Sequence, residues 1–285
     1  MTKNNLNIRE KFCFLSLPLV VIAMHYFLSN ILLYGIYNFF INVLHITEKH
    51  FITFSNWAEI FINIILIFIF LTIHCLIFKK GIHNTYGIKN TTFFKKAVMS
   101  LIAGAGVSGV SYLWIMVAKN IPRLRQSLTT MEAANNSIES GSLLQLLLIV
   151  VIVAPLIEEI LFRGIVFRSM QKVFPVWISV ILSAAMFGAY HMNIVQAVYA
   201  TFMGIIAAII YDKTNHLIYP ILVHAANNFV GVIQTSVPSE TEIFIINIFT
   251  VIMIIPMCYI VYCLFKGNSV TQAYVKRLTA TSSKQ

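Results

Sequence analysis

The chain has little charge. Only 11% of its 285 residues are Asp, Glu, Lys or Arg, against about 25% in an average soluble domain. Acids are the scarcest, 10 against 20 Lys and Arg, for a net charge of +10. A disordered chain needs more polarity than this, so disorder is excluded. The four cysteines, Cys13, Cys75, Cys258 and Cys263, lie in or beside apolar runs without CxxC spacing. They read as small apolar residues and not as a disulfide framework or a metal site. There is no HExxH and no GxSxG, so the two commonest sequence marks of zinc and serine hydrolases are missing. No basic stretch carries interleaved aromatics, so nucleic acid is not expected as a partner despite the positive charge. What the chain has instead is apolar residues, 59% of the total, and a mean hydropathy of +0.83. A soluble fold of this size leaves most of its area facing water and has nowhere to put so much apolar surface.

The apolar residues fall into eight continuous runs, roughly 13–42, 56–78, 97–118, 143–167, 175–191, 194–211, 217–235 and 243–265. A span needs about 20 apolar residues. Continuous runs, not alternating ones, argue against a transmembrane β-barrel. The expected fold is all-α, a polytopic membrane helix bundle of about eight transmembrane helices, forming one domain over 1–285. The first run follows MTKNNLNIREK without a small-residue cleavage site, so a retained signal anchor is expected. With the N-terminus inside and the runs alternating, only Lys49, Lys119, Arg123 and Arg125 of the 20 cations fall outside. The positive-inside rule therefore predicts that both termini are cytoplasmic. Segment 119–142 becomes the longest outer loop; its Pro122 and many Ser, Thr and Asn residues predict partly irregular backbone. In the third run, Gly104/Ser108 and Ala105/Gly109 are small residues at i,i+4, a pattern for close helix packing.

An ionisable residue at the bilayer centre costs about 2.5–3.5 kcal/mol and persists only with a partner or a task. Glu158 and Glu159 lie well inside a run, in VIVAPLIEEILFRGIVF. Glu159 and Arg163 stand at i,i+4 with the acid first, the favourable order for a helical ion pair. Glu158 points about 100° away from Glu159 and has no partner on its own helix. Its partner must come from another helix, or it faces a wet cavity. Pro155 predicts a kink that frees backbone carbonyls beside it. His25 and His74, alone in the first two runs, are expected to be hydrogen-bonded packing residues. His191 closes FGAYH, and His224 sits in PILVHAANNF with Asn228 at i+4. Taken singly, His224 and Asn228 read as polar glue between helices. Taken together, one carboxylate, two imidazoles and an amide lie on three spans of the C-terminal half. A carboxylate and an imidazole can share and activate a water. A second imidazole and an amide can bind a developing oxyanion. Glu158, His191 and His224 are also the only ligand set in view should a zinc ion be held. At 1.5 Å per residue, His191 falls nearer the outer edge than Glu158 and His224. The cluster therefore requires the fifth run to start outside the bilayer, to tilt strongly, or to have other boundaries.

At these residues the sequence resembles the CPBP family of CAAX proteases and bacteriocin-processing enzymes, also called Abi proteins. The family pattern EExxxR, FxxxH and HxxxN appears as Glu158, Glu159 and Arg163; Phe187 and His191; and His224 and Asn228, in order and on successive runs. The resemblance covers about 143–235. It implies an eight-helix membrane bundle around a cytoplasm-facing cavity, acting as an intramembrane endopeptidase on a membrane-associated peptide or protein. It further implies that Glu158 and His191 activate water, that His224 and Asn228 stabilise the oxyanion, and that Glu159, Arg163 and Phe187 support the site. A metal-free, glutamate-type mechanism is favoured over a zinc one, with no cofactor expected. Abundant Ile, Asn and Lys point to a bacterial source. Two other functions remain open on the sequence: a non-catalytic immunity or scaffold protein that binds a peptide in the same cavity, and a proton-coupled transporter. The absence of an internal repeat speaks against the transporter.

Overall fold

Helices of this length and apolarity satisfy every backbone hydrogen bond internally, which is what a bilayer demands. The computed structural model describes residues 6–78, 90–139 and 142–266 and is all-helical. Helix α1 (Ile8–Asn38) opens on an Asn7–Glu10 capping box and runs into a π turn, Phe39–Val43. Helices α2 (Glu48–Phe78) and α3 (Asn90–Lys119) follow. Then come α4 (Arg125–Glu139), α5 (Leu143–Val173), α6 (Val176–Tyr190), α7 (Ile194–Thr214), α8 (Ile218–Ser236) and α9 (Glu240–Lys266). Six of them, α1, α2, α3, α5, α7 and α9, are long and apolar enough to cross a membrane. Large apolar side chains such as Phe27, Tyr34, Phe68, Leu76, Ile255 and Tyr259 stand exposed along α1, α2 and α9. In a soluble protein such faces would aggregate; here they define a lipid-facing surface. The chain is an integral, multi-pass membrane protein.

The expected count of eight is reduced at two places. The fifth run forms α6, with only 15 residues, about 22 Å long by helix geometry against a hydrocarbon core of about 30 Å. The seventh forms α8, where His224, Asn227, Asn228 and Gln234 dilute the apolar character.

Segment 119–142, expected to be partly irregular, is mostly helix. After a 3-10 turn at Pro122–Leu124, α4 runs for 15 residues. Leu124, Leu128 and Met131 recur at helical spacing and pack with Ala118 and Val195. That apolar stripe outweighs the weak helix propensity of the Ser, Thr and Asn residues. Ser127 and Asn193 fix α4 to the start of α7. Asn193 Nδ2 donates to the Ser127 carbonyl at 2.8 Å, and Ser127 Oγ donates to Asn193 Oδ1 at 2.7 Å.

Helix α5 is central and packs against α1, α2, α6, α7 and α8. Leu161, Phe162, Ile165, Val166 and Phe167 on it are fully buried. The small residues of α3 do what their spacing predicts. A Cβ on Gly104 would strike the Val223 carbonyl of α8, and one on Gly109 the Thr250 carbonyl of α9. The basic segments 79–89 and 267–285 of the topology argument lie outside the described residues.

Candidate active site

The site is built on an irregular stretch of α5. The turn at Ala154–Glu159 carries Pro155, Glu158 and Glu159 and is flanked by two π-helical stretches, Leu147–Val153 and Ile160–Phe167. Such π segments are rare and recur at functional sites. The bond pattern explains Pro155. In the first π stretch the Ala154 amide donates to the Ile149 carbonyl, five residues back. The next bond in that register would join residue 155 to Val150, and proline has no N–H to make it. The freed Val150 carbonyl accepts instead from Asn228 Nδ2 on α8 at 2.8 Å. The kink expected at Pro155 is thus a widened helix whose spare carbonyl is bonded from the neighbouring helix.

Glu159 and Arg163 form the expected ion pair, at 2.9 Å and almost fully buried. The pair is part of something larger. Arg163 also donates to the Gly204 carbonyl at 3.1 Å and lies over the Phe187 ring at 4.8 Å. Glu159 Oε1 accepts a second bond, from His224 Nδ1 at 3.0 Å. A carboxylate next to a guanidinium only accepts, so Nδ1 carries the hydrogen and the ring orientation of His224 is fixed. Its other nitrogen, Nε2, then faces Glu158 Oε2 at 3.8 Å. That is the interhelical partner the sequence required for Glu158. At 3.8 Å the contact is too long for a direct hydrogen bond. Glu158 Oε2 is buried and has no hydrogen-bond partner among the described residues, whereas its side chain as a whole keeps 17% of its exposure. Buried oxygens of native proteins are bonded as a rule; the Oε2 atoms of both Glu158 and Glu159 depart from it among the described residues.

Phe187 gathers the second motif. Its ring meets His191 at 5.0 Å and His224 at 5.7 Å, both edge-on. The His191 Nδ1 donates to the Phe187 carbonyl at 2.9 Å, so Nε2 is the nitrogen that keeps its lone pair. The chain reverses directly after His191 through Met192, whose φ of 52° is left-handed, and Asn193 caps α7. Glu158, Glu159, Arg163, Phe187, His191, His224 and Asn228 are therefore drawn from α5, α6 and α8 into one cluster. Asn228 is placed at its rim, on the Val150 carbonyl, and its Oδ1 accepts from Asn227 Nδ2 at 3.1 Å.

Two neighbours escaped the sequence reading as parts of the site. Tyr190 packs edge-on against His191 and Phe162, and its hydroxyl meets His25 Nδ1 at 2.7 Å. His25 is thus the hydrogen-bonded residue expected on α1, and its bond closes the wall beside His191. His74, the other one, bonds the Gly164 carbonyl at 2.9 Å. The partner residues offered no spacing signal, because Tyr190 lies 165 positions from His25. No three His, Cys, Asp or Glu side chains among the described residues, Glu158, His191 and His224 included, are grouped to hold a metal ion.

The site is thus an irregular helix carrying two acids, both met by the His224 imidazole of a second helix, with His191 of a third beyond the Phe187 ring. Two comparisons with known proteins bear on it. Residues 140–230 match the family model described as "Type II CAAX prenyl endopeptidase Rce1-like". The "Putative membrane peptidase YdiL" of Bacillus subtilis (strain 168) is 32% identical over 84 residues, 29% of this chain and 34% of that protein. The match thus spans about a third of the relative's length. No solved structure matches. The three motifs and both matches support assignment of the chain to the CPBP family, through its segment 140–230.

Proposed function

We propose that the protein is an intramembrane endopeptidase that hydrolyses a peptide bond of a membrane-associated peptide or protein with a water activated by Glu158. One observation carries this reading: the buried, unpartnered Glu158 Oε2 standing 3.8 Å from His224 Nε2. A single water between them satisfies both groups, and the carboxylate can take its proton. The hydroxide so formed attacks the carbonyl carbon of the scissile bond. Glu158 then passes the proton to the amine nitrogen as the C–N bond breaks. His191, oriented by the Phe187 carbonyl, lies beside this path as the second proton acceptor. The second amide hydrogen of Asn228 is the donor for the developing oxyanion, and His224 joins it once Nε2 has taken a proton, its Nδ1–H still held by Glu159. Glu159 and Arg163 act through His224, by holding its ring. The reaction needs no metal, and both termini lie in the cytoplasm of a bacterial cell.

The test is a comparison of membrane and released peptides in cells carrying wild type or Glu158→Gln. Substrate fragments should disappear and the intact precursor accumulate in the variant. Identical peptide profiles, with both proteins present in equal amount, would overturn the assignment.

A further inference from the structure

A second cavity, separate from the acid–imidazole cluster, lies on the far side of α5. It is a groove of about 400 Å³ lined by Ile67 and Leu71 of α2, Phe93 of α3, Leu156 and Ile160 of α5, and Ile221 of α8. Its walls are almost wholly apolar. The volume lies within the range of small-molecule sites, about 300–1,000 Å³. Phe68, one residue from Ile67, and Phe94, one from Phe93, are strongly exposed. The groove therefore opens onto the lipid-facing surface and not onto water.

One end of the groove is different. His216 and Phe93 line it, and both pack on the ring of Tyr219, at 5.5 and 5.9 Å. Lys96 lies over the same ring, with Nζ 5.8 Å from the centroid. Phe93 and Lys96 are i,i+3 and share one face of α3. Lys96 is partly exposed. This end therefore has a cation beside it, and no acid lines the groove.

We propose that this groove binds an anionic phospholipid, with one acyl chain between α2, α5 and α8 and the phosphate at Lys96. Apolar length, an opening to lipid and a cation at one end match the two halves of such a molecule. Basic pockets between membrane helices select anionic head groups in this way. The inference does not depend on proteolysis. It does place a lipid chain against Leu156 and Ile160, on the helical turns that carry Glu158 and Glu159.

The full chain in phosphatidylcholine nanodiscs can be photolabelled with phosphatidylglycerol or phosphatidylcholine bearing the same diazirine acyl chain. Adducts of the anionic probe should map to peptides containing Leu71 and Leu156–Ile160, in severalfold excess over the zwitterionic probe. Leu71→Trp fills the groove and should remove them. Lys96→Gln, at the surface, should cut the anionic preference about fivefold, the worth of one basic residue near a lipid phosphate. Equal labelling by the two probes, or a folded Leu71→Trp that labels like wild type, would overturn the proposal. Should Leu71→Trp fail to fold, an unchanged preference in Lys96→Gln overturns it alone. Competition by an unlabelled apolar transmembrane peptide, but not by unlabelled phosphatidylglycerol, would give the groove to a peptide and likewise overturn it.

Discussion

Glu158 and Glu159 are adjacent in sequence and differ in circumstance. Glu159 is completely buried and its Oε1 accepts from both Arg163 and His224; Glu158 keeps 17% of its side-chain exposure and meets His224 only at 3.8 Å. Each acid has an Oε2 without a hydrogen-bond partner among the described residues. The two acids should therefore respond differently to the same change. Glu158→Gln removes a proton acceptor and keeps the shape. If the water is activated there, cleavage by protein in liposomes should fall by about 10²–10⁴-fold. Folding should persist, because an amide is cheaper to bury than a carboxylate. Glu159→Gln leaves the Arg163 charge buried beside a neutral group, and such a loss costs about 3–5 kcal/mol. The double variant Glu159→Gln with Arg163→Met removes both charges and should recover much of that stability in a detergent melt. A double variant as unstable as the sum of the two singles would show that the pair is not the stabilising unit. At this scale the sequence was informative where charge and helical spacing decide: the Glu159–Arg163 pair and the need of Glu158 for an outside partner followed from i,i+4 geometry alone. That Glu159 also holds His224, 65 positions away, carries no local signal. It became visible only when α5 and α8 were packed together.

Helix α5 makes its own prediction. Asn228 donates to the Val150 carbonyl that Pro155 leaves open. Asn228→Ala leaves that partly buried acceptor without its donor, a loss of about 1–3 kcal/mol at most. Pro155→Ala restores an N–H to the chain, so in that background Asn228→Ala should cost less. A double-mutant cycle on thermal stability should give a coupling of about 0.5–3 kcal/mol. Strict additivity would separate the amide from the proline. The kink was legible because proline chemistry is local; the π register that selects Val150, and the helix that answers it, was not. Helix α4 shows the opposite failure. Its Ser, Thr and Asn residues suggested a loop, whereas Leu124, Leu128 and Met131 give it an apolar edge to bury. Three apolar residues in a polar segment are a faint pattern until the surface they cover, Ala118 and Val195, is known.

The whole molecule has two sides. The cation distribution predicts 119–142 outside and both termini inside. Cysteines introduced into α4 and into 268–285 should react with impermeant reagents from opposite faces of sealed vesicles; labelling of both from one face would refute the topology. A metal-free mechanism predicts that activity survives chelation and that zinc does not co-purify near one per chain. Stoichiometric zinc lost on His191→Ala would require a different chemistry. The 15 residues of α6 bear on the membrane itself. Val176, Trp177, Ile178 and Ile181 present apolar side chains outward, so lipid must meet a helix about 8 Å shorter than the hydrocarbon core. A bilayer answers such mismatch by thinning locally. Water and head groups then dip towards His191 at the end of α6, and a buried peptide bond is brought closer to the aqueous phase. With the proposed hydrolysis seated there, activity would sense thickness: in liposomes of increasing acyl length, turnover should decline as the membrane resists compression, while the stability of the fold changes little.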